Sequence, residues 1–575
     1  MNFTINCRPW RMNNHALFVG LVAVILLSGG CTTVRSGGVT VSEAVPAPLP
    51  PDALYRALVA EMAAQRGQFD VATEHYQALT RSTHDPRVAE RATRAAAMER
   101  NDQKVLELAR QWLEISPRSL DARLFIAAAL IRQGRFDAAG EHVDLILAGS
   151  ANAPDRGFGA VSSLLFNVPD SRAALTFMEK VVAGHQDDPY AQYAHGQLAL
   201  RAEALDVAMR AAEAAQRLKP GWVNAVLLQA RALQLQGESG RAADVLQEVV
   251  DKQPEDAGVR IIYARLLLSA SRYEASLAQF ERLAVQTPDN PEVLLTAALI
   301  AIDLKRLEVA EGYLNRLLAQ SQQVNEASYY LGVVAEARKD LATARKWYQA
   351  VADGEHYLSA QLRLAMIVAD QGDVDGALNS IRAMIPGDAA QKARIASITG
   401  SILYQAERYA QAMEVYDAAL KEAPEHVDLL HGRALVAEKL DRLDIVEQDL
   451  TAILQREPTN AAVLNTLGYT LADRTTRYQE AYDYIKRALD LDPEDFAILD
   501  SMGWVLFKLG RHAEALVYLR RSWDAGQDAE VAAHLGEVLW VMGDQPGARE
   551  IWQRALAKTP NHKALRGVMQ RFGIK

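Results

Sequence analysis

Residues 529–562 read AEVAAHLGEVLWVMGDQPGAREIWQRALAKTPNH. Apolar residues recur at helical spacing in each half, and Gly543-Asp544 separates the two runs, so the stretch predicts a pair of helices joined by a tight turn. Gly536, the eighth residue, and Ala548, the twentieth, leave almost no side chain between the two helices and predict close contact there. Pro560 ends the second run.

A ruler of about 34 residues carries this pattern back through the chain, with units starting near 53, 86, 120, 155, 189, 223, 257, 291, 325, 358, 393, 427, 461, 496 and 529. The eighth position is Gly196, Gly332, Gly400, Gly468, Gly503 or Gly536 in six of them, and the twentieth is most often Ala, as in Ala72, Ala208, Ala344 and Ala515. At the fifteenth stand Gly67, Gly134, Gly237, Gly372, Gly510 and Gly543, where a left-handed cap ends the first helix. Pro117, Pro254, Pro288, Pro424, Pro458 and Pro493 close second helices as Pro560 does. The turn Thr475–Tyr478 carries one extra residue, which places Ala481 one position late. One unit departs from the pattern: the glycines of GFGAVSSLLFNVPD, 157–170, predict a shortened or kinked repeat in place of a proper first helix.

The sequence of marks in 529–562, Leu-Gly, then Leu539, then Ala548 and Trp552, then Pro560, resembles the tetratricopeptide signature. The resemblance covers about nine-tenths of the chain. It implies an all-α fold, a right-handed superhelical solenoid of about fifteen helical hairpins over residues 52–575 with a C-terminal capping helix.

The first fifty residues differ in kind. Arg8 and Arg11 precede an apolar run from Ala16 to Leu27, too short to span a bilayer but suited to an export signal. Ser28-Gly29-Gly30-Cys31 then resembles the bacterial lipobox, with Leu27 one place earlier than the usual leucine. The resemblance implies a signal peptide over 1–30 and lipidation of Cys31, the one cysteine left once Cys7 is removed. Thr32 stands where Asp would mark inner-membrane retention in that family, which implies the outer membrane. Residues 31–51 form a proline-ended tether reaching at most about 65 Å.

Net charge is −10, near −12 after processing, with no Lys/Arg run, and that balance argues against nucleic acid and a basic membrane-binding surface. No H-E-x-x-H, Cys/His cluster, G-x-S-x-G elbow or phosphate loop occurs, so no metal, cofactor or small-molecule substrate is expected and the chain does not read as an enzyme. Asp370, Asp373, Asp375 and Gly376 lack the spacing and the closing Glu of a calcium loop. What remains is protein recognition. In the tetratricopeptide family the second, fifth, ninth and twelfth positions of the first helix line the concave face. Here they give Asn465, Tyr469, Asp500, Trp504, Phe507, Glu537 and Trp540, and farther back Tyr190, Tyr193, Gln197, Tyr329 and Tyr404. The helix from 53, with Leu54, Leu58 and Met62, is expected either to cap the stack or to dock a partner.

The opening ALYRALVAEMAAQRGQFDVATEHYQALTRSTHDPRVAERATRAAA and the stretch from NTLGYTLADRTTRYQEAYDYIKRALDLDPEDFAILD onward, together with the lipobox, resemble outer-membrane tetratricopeptide lipoproteins that partner a periplasmic carboxyl-terminal processing protease. In that family the lipoprotein holds the protease and delivers peptidoglycan hydrolases to it. The resemblance implies the same adaptor role. The alternative is a scaffold lipoprotein for a polysaccharide-export or β-barrel assembly machine.

Overall fold

The computed structural model describes residues 50–574, so the signal segment, Cys31 and nearly all of the tether lie outside the described residues. Thirty-one α-helices and no strands occur among them. They fall into two compact units, up to Gln322 and from Gln323. The first holds eight hairpins, from Ala53–Gln65 to Leu307–Ala319. The second holds seven, from Val324–Ala337 to Gln545–Lys558, followed by a terminal helix, Lys563–Arg571. Within each unit the hairpins stack in chain order, as in a solenoid.

The eighth-position glycines are contact points, as expected. A Cβ on Gly503 would come 2.5 Å from Leu519 Cγ of its own second helix, and one on Gly468 would lie 2.5 Å from Ile485 Cγ1. At Gly332, Gly400 and Gly536 the added atom would run into the rings of Tyr348, Tyr416 and Trp552. Tyr416 also lies against Gly432, the sixth residue of the next first helix, so one ring fills the space between two glycines.

All six glycines at the fifteenth position have positive φ. Seven other units place Arg100, Glu203, Ser271, Lys305, Lys339, Glu407 and Asp441 there, with φ of 57° to 63°. The geometry of the turn is therefore set by the packing of the two helices and imposed on whichever residue occupies it. Where second helices end before a proline, the preceding residue leaves the helical region, as Ser116 does at φ −134°, ψ 81°. The proline carbonyl then accepts from the second helix of the next hairpin: Arg316 to Pro288, Arg487 to Pro458, Arg521 to Pro493 and Gln286 to Pro254. These bonds join successive hairpins along one edge.

The glycine-rich unit corrects the sequence expectation. Pro154–Phe166 is a helix of thirteen residues, as long as most first helices. Pro154 opens it, and Phe158, Val161 and Leu165 are buried. Gly157 is needed for packing: a Cβ there would sit 2.9 Å from Ser150 Cβ and 3.3 Å from Leu147 of the preceding second helix. Apolar burial outweighs the roughly 1 kcal/mol that a helical glycine costs.

A left-handed conformation disfavours an L-residue by about 1–2 kcal/mol. Lys305→Gly and Glu203→Gly are therefore expected to raise the urea midpoint of their unit, and Gly67→Ala to lower it. Equal midpoints for all three would show that the turn relaxes out of the left-handed region.

Candidate functional site

The side chains expected on the inner face of the C-terminal hairpins are largely used within the protein. Trp504 is 5% exposed, stacked on the His534 ring at 4.1 Å and on Phe507 at 5.4 Å. Asp500 is buried, with its two carboxylate oxygens 3.1 and 2.9 Å from His534 Nδ1. The Tyr469 hydroxyl donates to Glu530 at 2.9 Å, reaching from Ala461–Arg474 to Ala529–Val541 across the intervening first helix, Phe496–Lys508. Glu537 is also buried and accepts from Arg571 of the terminal helix at 2.7 Å. Trp540 is half-buried between Trp552 and Phe572. Asn465 is half-buried too, and its Oδ1 has no protein partner. Asp500, Trp504 and Glu537 are therefore covered by neighbouring parts of the same chain. The reason is geometric: alternate first helices come close enough to bond, and the terminal helix takes the next place in the stack.

The surroundings of His534 favour its charged form. Burial alone would push the imidazole toward its neutral form. Asp500 beside it, with Glu530 and Asp473 farther off, outweighs that cost and raises its pKa above the ordinary histidine range. His142, His195, His356 and His431 shift the other way, each chiefly through burial.

Farther back, Tyr404 is half-buried and meets Tyr409 edge-on at 5.6 Å, and Tyr329 is buried, stacked on His356 at 4.5 Å. Tyr190 and Tyr193 do converge on one place. Trp222 packs against both, at 5.0 and 4.8 Å between ring centroids, and the Lys219 ammonium lies over the rings of Tyr190 and Trp222 at 4.7 and 4.8 Å. Position counting missed Trp222 and Lys219 because they sit between hairpins. The signal for them was the K-P-G-W run ending at Trp222.

Three of the four residues with a faint calcium-loop look have structural roles. Asp373 caps Val374–Arg382 by accepting from the Gly376 N–H at 2.8 Å, and Asp375 pairs with Arg408 at 2.6 Å. Among the described residues no group of His, Cys, Asp and Glu is arranged to hold a metal, and no helix is long and apolar enough to cross a membrane. An apolar groove of about 670 Å³ opens beside Val374–Arg382, which has nine residues where the next second helix, Tyr409–Glu422, has fourteen. Leu378, Ile381, Met384, Leu403 and Val415 line it.

The first helix, Ala53–Gln65, differs from the other first helices. In most later units the third and tenth positions are buried, as in Ala191 and Leu198, Val293 and Ile300, or Val531 and Val538, and elsewhere they are half-buried, as at Val88. Contacts of Gly157 with Leu147 and of Gly432 with Tyr416 show that the third and sixth positions meet the preceding second helix. Here those three positions are Tyr55, Leu58 and Met62, which with Leu54 are 66%, 55%, 49% and 71% exposed. Among the described residues, nothing covers this inter-hairpin surface of the first helix.

A histidine whose folded pKa is raised stabilises the fold fully below its unfolded value, about 6.5, and loses that contribution as pH rises through the folded value. The stability difference between the native chain and His534→Gln should therefore be largest near pH 6 and shrink at higher pH. Each unit of upward shift is worth about 1.4 kcal/mol. The downward-shifted histidines cancel because both proteins carry them. A difference that is flat with pH in urea titrations would mean that His534 keeps its unfolded pKa in the fold, and one that shifts in favour of the native chain as pH rises would mean that His534 is neutral there.

Models of the tetratricopeptide repeat match residues 227–291 and 461–495, and one of a tetratricopeptide repeat-like domain matches 293–445. The chain is 36% identical over 492 residues to the TPR repeat-containing protein PA4667 of Pseudomonas aeruginosa, a match covering 84% of this chain and 82% of that protein. It is 23% identical over 185 residues to the human Protein O-mannosyl-transferase TMTC1, covering 31% of this chain and 20% of that protein. Among solved structures, Cut9 with Hcn1 from the APC/C aligns with a TM-score of 0.34 at 16% identity, over 85% of this chain and 97% of that one. Yeast Tom70 aligns with a TM-score of 0.32 at 14% identity, over 91% and 94%. With its helical hairpins and a relative 36% identical along most of both lengths, the chain belongs to the tetratricopeptide-repeat proteins, whose fold is typically a non-catalytic scaffold for protein–protein interaction.

Proposed function

We propose that this protein is a non-enzymatic adaptor, an outer-membrane lipoprotein facing the periplasm and anchored through Cys31. It holds a carboxyl-terminal processing protease and presents peptidoglycan hydrolases to it. The observation that carries this reading is the apolar surface of Ala53–Gln65, where Tyr55, Leu58 and Met62 occupy positions that other first helices cover with a preceding second helix. Stack ends that only need to be soluble carry polar outer faces. This end is built to receive a helix, and the protease supplies it.

The remaining hairpins leave room for a second protein, and holding two proteins on one chain raises their effective concentration without any catalytic group. The lipobox-like Ser28–Cys31 and the proline-ended tether support a membrane location for that encounter. The twin resemblance of the chain's opening and ending to protease-partner lipoproteins supports the choice of partner.

The test is recovery of partners from periplasmic and membrane extract on the mature chain, tagged at its C-terminus, read by mass spectrometry. The native chain should recover a carboxyl-terminal processing protease, with wall hydrolases retained when that protease is inactive. Leu58→Glu should reduce protease recovery about tenfold or more, because it places a carboxylate in an apolar contact. Recovery of barrel or polysaccharide-export components without a protease would overturn the adaptor reading in favour of a scaffold.

A further inference from the structure

The cluster around Trp222 has a geometry independent of the anchor and of any protease. Tyr190 and Tyr193 lie about one turn apart on the first helix Pro189–Arg201. Trp222, the N-cap of Val223–Leu235, closes on both, and Lys219, which ends Leu205–Leu218, reaches in from the other side. The Lys219 ammonium donates to the Tyr190 hydroxyl at 2.8 Å. All four side chains are half-buried, neither sealed in the core nor free in solvent.

The charge at this place is unbalanced. Lys219 is held by two ring faces and one hydroxyl, and among the described residues no carboxylate lies within ion-pair distance of it. An ammonium has three donors, and only one is taken by the protein. The patch therefore sets a cation with spare donors beside three aromatic rings, the residue types that anchor protein interfaces. Basic segments meet a like charge here, and purely apolar segments leave the ammonium unpaired in a drier setting.

We propose that Tyr190, Tyr193, Trp222 and Lys219 form a docking point for a protein segment in which a Glu or Asp side chain stands next to an aliphatic or aromatic residue. The apolar neighbour lies against Trp222 and Tyr193, and the carboxylate pairs with Lys219. This surface belongs to the first unit and selects its partner by charge, unlike the apolar helix surface at the start of the stack.

The test uses the full mature chain and two pools of short, labelled, C-terminally amidated peptides with uncharged flanks. One pool has a Leu-Glu-Phe core and the other Leu-Gln-Phe. Fluorescence polarisation should show the Glu pool binding about fivefold more tightly, the scale of a partly exposed ion pair. Lys219→Gln should abolish that preference, and Trp222→Ala should weaken both pools, with Trp222→Phe restoring part of the loss. Equal affinity or no binding of the two pools to the native chain, or a preference that survives Lys219→Gln, would overturn the proposal. So would a Gln pool with free carboxyl termini that binds more tightly than the amidated Glu pool, since the carboxylate would then be a chain end.

Discussion

A helix can seat a large side chain of its partner against its own backbone only where it leaves a gap by carrying no side chain itself. The eighth position of the first helix supplies that gap in this protein, and the neighbouring ring or branched side chain fills it completely: Trp552 over Gly536, Tyr348 over Gly332, Leu519 over Gly503. Close approach fixes the hairpin angle, and the turn must then reverse the chain in very few residues. It does so by a left-handed residue, whether or not that residue is glycine. The next hairpin can settle on the pair because the pair already has a defined surface.

Polar groups follow the same logic one level up. The Arg433 guanidinium binds Asp449 through two nitrogens at 2.8 and 2.7 Å and Asp417 through the third at 2.7 Å, tying three consecutive helices together. The Asp449 side chain is fully buried, so the pair specifies an arrangement more than it adds stability. The Asp500–His534 and Glu537–Arg571 pairs work likewise, each joining residues 34 apart, one repeat length.

Much of this was legible in the sequence because a repeat prints its rules many times. The glycines at the eighth and fifteenth positions, the prolines and the helical period sufficed for the hairpins. What repetition did not reveal is what each unit does with its individual side chains. Asp500 and Trp504 occupy positions that line the concave face in the family pattern, yet His534 of the next unit covers them. Reading each unit alone cannot show that. The glycines of 157–170 were misleading for the opposite reason: a breaker in isolation, Gly157 is a close-packing residue once Leu147 and Ser150 lie against it. Trp222 and Lys219 fall between units, where a count that restarts with every helix does not look.

The first and last described helices are unlike. The terminal helix Lys563–Arg571 turns Leu565, Val568 and Met569 inward and leaves Lys563, Arg566 and Gln570 in solvent, whereas the first helix leaves its apolar stripe bare. Head-to-tail polymerisation needs two complementary sticky ends on the same molecule. The described residues offer one adhesive end and one polar end, so pairing those two surfaces head to tail would set an apolar stripe against charged side chains.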